Sequence, residues 1–271
     1  MWGDSLKVKS ESQGLSMKVA LIGAGNLATN LGKALCRAGH EVVQVWSRTT
    51  ESASALSKVL KCSYTTDLKD VVRSADVFII AVKDSVLPSV AEALKEGREE
   101  QLVVHTAGSM PMDILPFERS GVLYPMQTFS KNKEVDFSII PCFIESSNES
   151  DSMLLKTLSR TVSDTVYELD GEGRKYLHLA AVFCCNFANH CFSLGADLLK
   201  RHGNIPFSVM LPLIDETAAK LYSLSPREAQ TGPAVRWDTN VMDKHLQLLA
   251  DTPDVQKIYE LFSKSIHNDQ L

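Results

Sequence analysis

The chain has 271 residues, a net charge of −5 at neutral pH and 44% hydrophobic residues, which is typical of a globular protein with one or two domains. It contains no dense basic block, so nucleic acid is not an expected partner. No apolar run approaches the ~18 to 20 residues of a membrane span, so no membrane association is expected. The polar start, residues 1–16, lacks the apolar core of a signal peptide, and we predict a disordered leader.

The cysteines indicate a reducing compartment. None of the six forms a Cys-x-x-Cys pair, and most lie in apolar contexts, so we expect buried free thiols. A cytoplasmic location follows from this interpretation. The cysteines and histidines also lack the spacing of zinc ligands, and we predict no metal site.

A strand, a glycine-rich turn and a helix form the first predicted unit. A short apolar run leads into Gly23-x-Gly25-x-x-Ala28, and a helical pattern follows. Gly23 permits a tight turn, Gly25 lets a pyrophosphate approach the backbone, and Ala28 allows close packing of helix on strand. The free N–H groups at the helix start suit phosphate. We predict a dinucleotide site that also includes Asn26 and Leu27; the alternative is a tight turn without a ligand.

The end of the second predicted strand indicates which dinucleotide is bound. A site for NAD usually carries Asp or Glu about 20 residues after the glycines, where it holds the ribose 2′-hydroxyl. This chain has Ser47, Arg48 and Thr49 instead, two hydroxyls and a guanidinium that suit a 2′-phosphate. We therefore predict NADP as the cofactor; the alternative is an ordinary loop with a solvated arginine.

Strand and helix patterns alternate over the first ~150 residues, which predicts an α/β fold with a Rossmann-type, doubly wound parallel sheet. The run at 77–82 is apolar throughout, as expected for a strand covered on both faces. Ligands bind beyond the carboxyl ends of such strands. We therefore assign Val82, Lys83 and Asp84 to the cofactor.

The pattern becomes helical from Gly173 to the end of the chain. This change predicts an NADP-binding Rossmann domain over residues 17–170 and an all-helical domain over residues 171–271. We expect the helical domain to serve substrate binding and dimerisation.

The longest helical pattern, residues 174–201, carries polar residues in an apolar run. At 100° per residue, Asn189 lies about 20° from His178 and Asn186 about 80°. The three side chains should share one face of a buried helix, and buried polar groups need partners. Satisfied core groups are the alternative; we favour a substrate-facing row in which His178 exchanges a proton, because its free pKa of about 6.5 suits that task. Lys175, one turn earlier, is the second candidate for this role.

Polar residues also follow the later predicted strands, at the cofactor edge of the sheet. The residues in this group are His105, Thr106, Ser109, Tyr124, Gln127 and Thr128. We assign Thr106, Ser109 and Gln127 to substrate binding because ligands collect at this edge.

A second polar group lies in a loop marked by Gly232 and Pro233. Arg236 in this loop suits an anionic substrate. Asp238 is expected to cap the next helix rather than to act in chemistry.

Several of these motifs resemble pyrroline-5-carboxylate reductase and its NADP-dependent relatives: Gly-Ala-Gly-Asn-Leu-Ala at 23–28, Trp-Ser-Arg-Thr at 46–49 and Ala-Asp-Val-Phe-Ile-Ile-Ala-Val-Lys at 75–83. Other motifs are similar to a narrower family of two-domain bacterial proteins, with a Rossmann-like domain of the deazaflavin-dependent NADP oxidoreductase type and a helical domain of unknown function. These motifs are His-Thr-Ala-Gly-Ser at 105–109, Tyr-Pro-Met-Gln-Thr-Phe at 124–129, His178 to Asn186, and Thr-Gly-Pro-Ala-Val-Arg-x-Asp at 231–238. The resemblance covers nearly all of residues 17–268.

This resemblance implies an NADP-binding domain, an all-helical C-terminal domain and a homodimer formed through those helices. It does not name a substrate. In the related ketopantoate and β-hydroxyacid enzymes, a catalytic lysine is followed four residues later by an asparagine. Here Val182 follows His178 at that distance, and Leu179 follows Lys175.

We therefore expect an NADP-dependent reductase or dehydrogenase that transfers a hydride between NADP(H) and a small, anionic carbonyl or imine substrate. The departure from the lysine–asparagine pattern leaves a second reading, an NADP(H)-binding sensor or interaction protein without turnover. A third reading is hydride transfer to a deazaflavin coenzyme, which requires a large open cleft.

Overall fold

The computed structural model describes residues 16–268, so the predicted leader lies outside the described residues except for Ser16. The Ser16 hydroxyl donates a hydrogen bond to the carbonyl oxygen of Gly39, at 2.8 Å. The chain divides into two compact units, one up to Val182 and one from Phe183.

The first unit is built on one eight-stranded sheet. Its strands are β1 (Lys18–Ile22), β2 (Glu41–Trp46), β3 (Ser63–Thr65), β4 (Val77–Ile80), β5 (Leu102–His105), β6 (Ser120–Pro125), β7 (Cys142–Ser146) and β8 (Val166–Glu168). They lie in the order β3-β2-β1-β4-β5-β6-β7-β8. This order confirms the predicted Rossmann-type fold, because the chain runs outward from β1 in both directions.

From β3 to β6, every pair of neighbouring strands in the sheet is parallel. Strand β7 pairs antiparallel with β6, and β8 then pairs parallel with β7. Parallel neighbours need a crossover connection, usually a helix, whereas residues 126–141 between β6 and β7 contain no helix. The predicted doubly wound parallel sheet therefore includes one antiparallel pair, β6 with β7, at this edge.

Five helices accompany the sheet in the described part of this unit: α1 (Asn26–Arg37), α2 (Thr50–Leu60), α3 (Leu87–Leu94), α4 (Glu149–Arg160) and α5 (Gly171–Ala181). Alternate residues of β1 belong to two separate apolar clusters, with Val19 and Leu21 in one and Ala20 and Ile22 in the other. Successive strand residues point to opposite faces. Both faces of the sheet are therefore covered, as in a doubly wound fold.

The second unit consists of helices and connecting loops, with no strand among its described residues. It contains α6 (Ala188–Arg201), α7 (Leu211–Ala219), α8 (Thr239–Leu248) and α9 (Pro253–Asn268). A carboxylate oxygen of Asp238 accepts a hydrogen bond from the backbone N–H of Val241. The predicted capping role of Asp238 is confirmed.

The long helix differs from its prediction in two ways. It runs over Gly171–Arg201, 31 residues, but includes a π-helical stretch at Val182–Phe187. A π turn holds more residues than an α turn, so the 100° spacing cannot be carried from His178 to Asn186 and Asn189. Both asparagines are exposed, and the expectation of a buried helix is wrong.

Among the described residues, this helix alone is long and apolar enough to cross a membrane. The mean hydropathy of its most apolar window is 1.3, and none of that window is buried. Polar residues interrupt the apolar run of this helix, and the sequence was therefore not predicted to contain a membrane span. Length and composition alone are weak evidence for a membrane span, since apolar helix faces also pack against protein.

The described cysteines are free, but only some are buried. Cys142 is buried, and Cys36 and Cys62 are half-buried. Burial raises the pKa of Cys62 and of Cys142 to about 11, so both remain protonated thiols at neutral pH. The prediction of buried thiols is wrong for three residues that lie on the exposed helical stretch: Cys184, Cys185 and Cys191.

Candidate active site

The glycine turn between β1 and α1 is shaped by close backbone contact and leaves open space beside it. Gly23 has a φ of +133°, and a Cβ there would lie 2.3 Å from the carbonyl oxygen of Ala81. A Cβ at Gly25 would meet no atom within 4 Å. Gly25 is the N-cap residue that precedes α1, so no side chain caps this helix, and the first turn of α1 has no acidic residue. The N–H groups at the start of α1 are therefore suited to a phosphate that approaches Gly25.

The segment after β6 lies against this turn. The side-chain amide of Asn26 donates to the carbonyl oxygen of Phe129 at 2.9 Å, and that of Asn30 donates to Ser130 at 3.2 Å. This contact was not predicted. It assigns the Asn26 side chain to holding the loop, so any contact of Asn26 with a cofactor is expected through its backbone.

The loop after β2 presents the groups that suit a 2′-phosphate. Arg48 and Thr49 are exposed, and Thr49 precedes the first residue of α2 without a capping hydrogen bond from its side chain. A guanidinium, a hydroxyl and a helix start therefore lie together at the carboxyl end of β2. These residues fit NADP.

The loops after β4 and β5 are joined by a hydrogen bond between two predicted site residues, Asp84 and Ser109. The Ser109 hydroxyl donates a short hydrogen bond to the carboxylate of Asp84. Lys83 is exposed beside Asp84, whereas Val82 packs against one of the apolar clusters. Thr106 is only 8% exposed, and its hydroxyl donates to the carbonyl oxygen of Ile80. Ser109 is therefore available at this edge, while Thr106 holds β5 to β4.

His105 is a buried structural histidine. The backbone N–H of Ala107 donates to its Nδ1 at 3.1 Å, so Nε2 carries the proton and donates to the carbonyl oxygen of Pro111 at 3.2 Å. Burial, and then the charge of Arg174, lower the pKa of His105 to about 4. The neutral ring therefore fixes the shape of the loop after β5.

Arg174 ties α5 to this loop and to β7. Its buried guanidinium forms an ion pair with Glu145 and donates to the carbonyl oxygen of Met110 at 2.8 Å. Arg174 was not among the site residues predicted from the sequence. Its position one helical turn before His178 could have indicated that it lies near the site.

His178 meets two residues that come from other elements. It is half-buried, and its Nδ1 lies 3.2 Å from the phenol oxygen of Tyr124, at the end of β6. A Cβ at Gly108, in the loop after β5, would lie 2.8 Å from the same Nδ1. The neighbouring Ser109 reaches Asp84, so His178 belongs to the row of loops at the carboxyl edge of the sheet.

Lys175 lies on the same helix in a different environment. It is exposed and forms an ion pair with Glu172, and the hydrogen bond from that pair raises the pKa of Lys175. A proton donor works best when its pKa lies near the working pH. The raised pKa therefore makes Lys175 a poorer acid than an ordinary histidine at neutral pH.

The remaining residues predicted for catalysis or substrate binding are exposed. Gln127 accepts a hydrogen bond from the backbone N–H of Thr128 at 2.8 Å. Asn186, Asn189 and Arg236 are exposed residues of the second unit, and their assignment to the substrate stays a prediction. Within residues 16–268, no group of three or more His, Cys, Asp or Glu side chains is arranged to hold a metal ion.

The Rossmann-type sheet, the open glycine turn and the loop that suits a 2′-phosphate define an NADP-dependent oxidoreductase. Residues 18–108 match the family described as "NADP oxidoreductase coenzyme F420-dependent", and residues 140–266 match "Domain of unknown function (DUF2520)". The chain is 54% identical to the putative NADP oxidoreductase BF3122 from Bacteroides fragilis, whose crystal structure is known. That match has a TM-score of 0.88 and covers 93% of this chain and 98% of the other. The chain therefore belongs to the family of NADP oxidoreductases that combine these two domains.

Two further similarities are more distant. An imine reductase from Myxococcus stipitatus, in complex with NADP+, matches with a TM-score of 0.65 and 14% identity, over 93% of this chain and 92% of that chain. At this identity the likeness shows the fold alone. A glycerol-3-phosphate dehydrogenase [NAD(P)+] from Thermoanaerobacter sp. (strain X514) is 29% identical over 100 residues, which span 32% of this chain and 30% of that protein.

Proposed function

We propose that this NADP oxidoreductase acts in the cytoplasm and transfers a hydride between NADP(H) and a small, anionic carbonyl or imine compound. The observation that carries the proposal is the position of His178. This titratable side chain is half-buried and lies in the row of loops at the carboxyl edge of the sheet, where ligands of such folds bind. The nicotinamide supplies or accepts the hydride when it is bound.

His178 handles the proton that must accompany the hydride. Reduction of a C=O or C=N bond adds a hydride to carbon and a proton to the oxygen or nitrogen. An imidazole exchanges protons readily near neutral pH, whereas Lys175 is held protonated by Glu172. We therefore assign the proton transfer to His178 rather than to Lys175.

The substrate class rests on two supports. An imine reductase with the same fold acts on a C=N bond, and we extend that class of substrate to this chain as part of the proposal. The anionic group is carried over from the sequence, in which Arg236 suits a carboxylate or another anion. The match to a family described as coenzyme F420-dependent favours a second candidate, in which a deazaflavin takes the place of the small substrate.

The test is NADPH consumption with a panel of keto acids, cyclic imines and a deazaflavin. For any compound that is turned over, His178→Asn should lower kcat by roughly a hundredfold or more, the usual size of an acid–base contribution, with NADPH affinity unchanged. The matched control is His190→Asn, at an exposed histidine of α6, which should keep the wild-type rate.

Three outcomes are decisive. Wild-type turnover by His178→Asn would remove His178 from the mechanism. Consumption only with the deazaflavin would select the second candidate. Tight NADPH binding without consumption by any compound would favour a sensor and contradict the proposal.

We further propose that the protein is a homodimer formed through its second unit. Large apolar side chains are exposed on the helices of this unit: Phe192, Leu211, Leu213, Leu248, Leu261 and Phe262. The unit also contains an apolar cleft of about 940 Å³. Exposed large apolar side chains and an apolar cleft are features of interaction sites.

A further inference from the structure

Tyr124 and His178 form a hydrogen-bonded pair that joins β6 to α5. The phenol oxygen lies 3.2 Å from Nδ1. The two rings are tilted by 59°, with centroids 6.3 Å apart, so the contact is a hydrogen bond at the ring edges rather than a stack. Tyr124 is half-buried, which limits competition from solvent for this bond.

Gly108 leaves the space that the pair occupies. A Cβ at this position would lie 2.7 Å from Cζ and 2.9 Å from the phenol oxygen of Tyr124, and 2.8 Å from Nδ1 of His178. Carbon atoms do not approach other heavy atoms this closely without displacement. A side chain at position 108 must therefore separate the pair or move the loop.

The loop itself is held on both sides of Gly108. Before it, the backbone N–H of Ala107 donates to Nδ1 of His105. After it, Ser109 donates to Asp84, and the carbonyl oxygen of Met110 accepts from Arg174. Because these bonds fix the loop, a Cβ at Gly108 would displace Tyr124 and His178 instead.

We propose that Tyr124 is a positioning residue for His178 and that Gly108 preserves the space their hydrogen bond requires. The inference rests on the proposed role of His178. With Nδ1 engaged by Tyr124, the nitrogen on the other side of the ring, Nε2, is the one that serves the substrate.

The proton balance uses both nitrogens. Protonated His178 gives the proton on Nε2 to the substrate oxygen or nitrogen and keeps the proton on Nδ1, which it donates to the phenol oxygen of Tyr124. In the reverse direction Nε2 takes the proton back. A phenol both donates and accepts hydrogen bonds, so Tyr124 supports either protonation state of Nδ1, and phenylalanine supports neither.

The first test is Tyr124→Phe with the matched control Tyr167→Phe. Tyr167 is an exposed tyrosine of β8 that stacks on Phe143 in the same unit. Tyr124→Phe should lower kcat about tenfold, the size expected for one hydrogen bond to a catalytic group, while the substrate KM and NADPH affinity stay within about twofold. Unchanged kcat, or an equal loss of NADPH affinity, would overturn the proposal.

The second test combines variants. Gly108→Ala should lower kcat like Tyr124→Phe, and the double variant should lose little more than either one, because both remove the same hydrogen bond. In the His178→Asn background, Tyr124→Phe should have no further effect. Losses that multiply in either combination would show that Tyr124 acts independently of His178.

A third measurement does not depend on turnover. In the full-length protein labelled with ¹⁵N-histidine, Tyr124→Phe and Gly108→Ala should move the Nδ1 resonance of His178, and Tyr167→Phe should leave it in place. An unmoved resonance overturns the positioning role. A moved resonance in a protein that consumes NADPH with no compound supports the pair and rejects the proposed function instead.

Discussion

Arg48 supplies the positive charge of the predicted 2′-phosphate site, and its neighbours in the sequence supply the other groups. Ser47, Arg48 and Thr49 are consecutive, and the absence of an acidic residue among them was visible in the sequence. The structure adds that Arg48 and Thr49 are exposed at the start of α2. Because the selectivity depends on adjacent side chains, the sequence alone predicted NADP.

Replacing Arg48 should change the cofactor preference. Arg48→Glu should weaken NADPH binding by about tenfold or more and leave NADH binding nearly unchanged, because only NADPH carries the 2′-phosphate that the guanidinium attracts. Isothermal titration with both dinucleotides measures this. Arg160→Glu, at an exposed arginine of α4, is the control. Equal weakening of both dinucleotides would contradict the assignment.

The role of His105, unlike that of Arg48, could not be predicted from its neighbours in the sequence. Its place after a strand put it among the polar residues at the cofactor edge, but burial and two hydrogen bonds make it structural. Its partners are backbone groups of a folded loop, and residue type alone does not reveal them.

The burial of His105 should appear in the pH dependence of stability. The pKa of the unfolded histidine is about 6.5, and burial lowers it to about 4 in the folded state. The folded state therefore binds this proton less readily, so the stabilisation is complete above pH 6.5 and is lost as the pH falls toward 4, with a total of about 3 kcal/mol. Urea unfolding between about pH 7 and about pH 4 measures it.

The comparison variant is His105→Gln. It should be less stable at neutral pH and should lose less stability on acidification, because it lacks the titrating ring. His40, whose pKa is also lowered by burial, contributes equally in both proteins. An unchanged pH slope in the variant would show that His105 does not titrate as expected.

At the scale of elements, the turn between β1 and α1 was predictable and the π-helical stretch after α5 was not. A glycine turn obeys local rules of backbone conformation. The π-helical stretch over Val182–Phe187 shifts the phase of every later residue, and helical periodicity in the sequence assumes 3.6 residues per turn. The 100° spacing used to place Asn186 and Asn189 relative to His178 therefore does not apply across this stretch.

Alanine substitutions at the two glycines of the turn should affect NADPH binding and folding stability differently. Gly25→Ala should fold with stability within about 1 kcal/mol of the wild type, because its φ is −78° and the space beside it is open. It should nevertheless bind NADPH at least about tenfold more weakly, because the methyl group occupies the phosphate position.

Gly23→Ala is the matched variant at the strained position. Its Cβ would meet the carbonyl oxygen of Ala81 at 2.3 Å with φ at +133°, so we expect a loss of more than about 2 kcal/mol. Urea unfolding and NADPH titration of both variants check the contrast. If Gly25→Ala retained full NADPH affinity, the phosphate would not lie at the start of α1.

At the scale of the whole molecule, the property to test is the oligomeric state, which we propose to be a homodimer. Sedimentation velocity of the wild type should show a dimer. Glutamate at Leu213 or at Phe262, which are 59% and 47% exposed, should shift it toward the monomer, because a charge would be buried in the interface. Ile139→Glu, at a residue of the first unit that is 71% exposed, should leave the dimer intact. A monomeric wild type, or dimers in every variant, would exclude this interface.

The sequence by itself determined the Rossmann-type fold, the glycine turn and the preference for NADP. Each of these depends on periodicity or on residues that are adjacent in the chain. Tertiary structure decided the antiparallel strand β7, the structural role of His105 and the contact of His178 with Tyr124 and Gly108. Tyr124 and His178 are 54 positions apart, and Gly108 belongs to a third segment. Only the packing of the loop after β5, the end of β6 and helix α5 brings these groups within hydrogen-bonding distance.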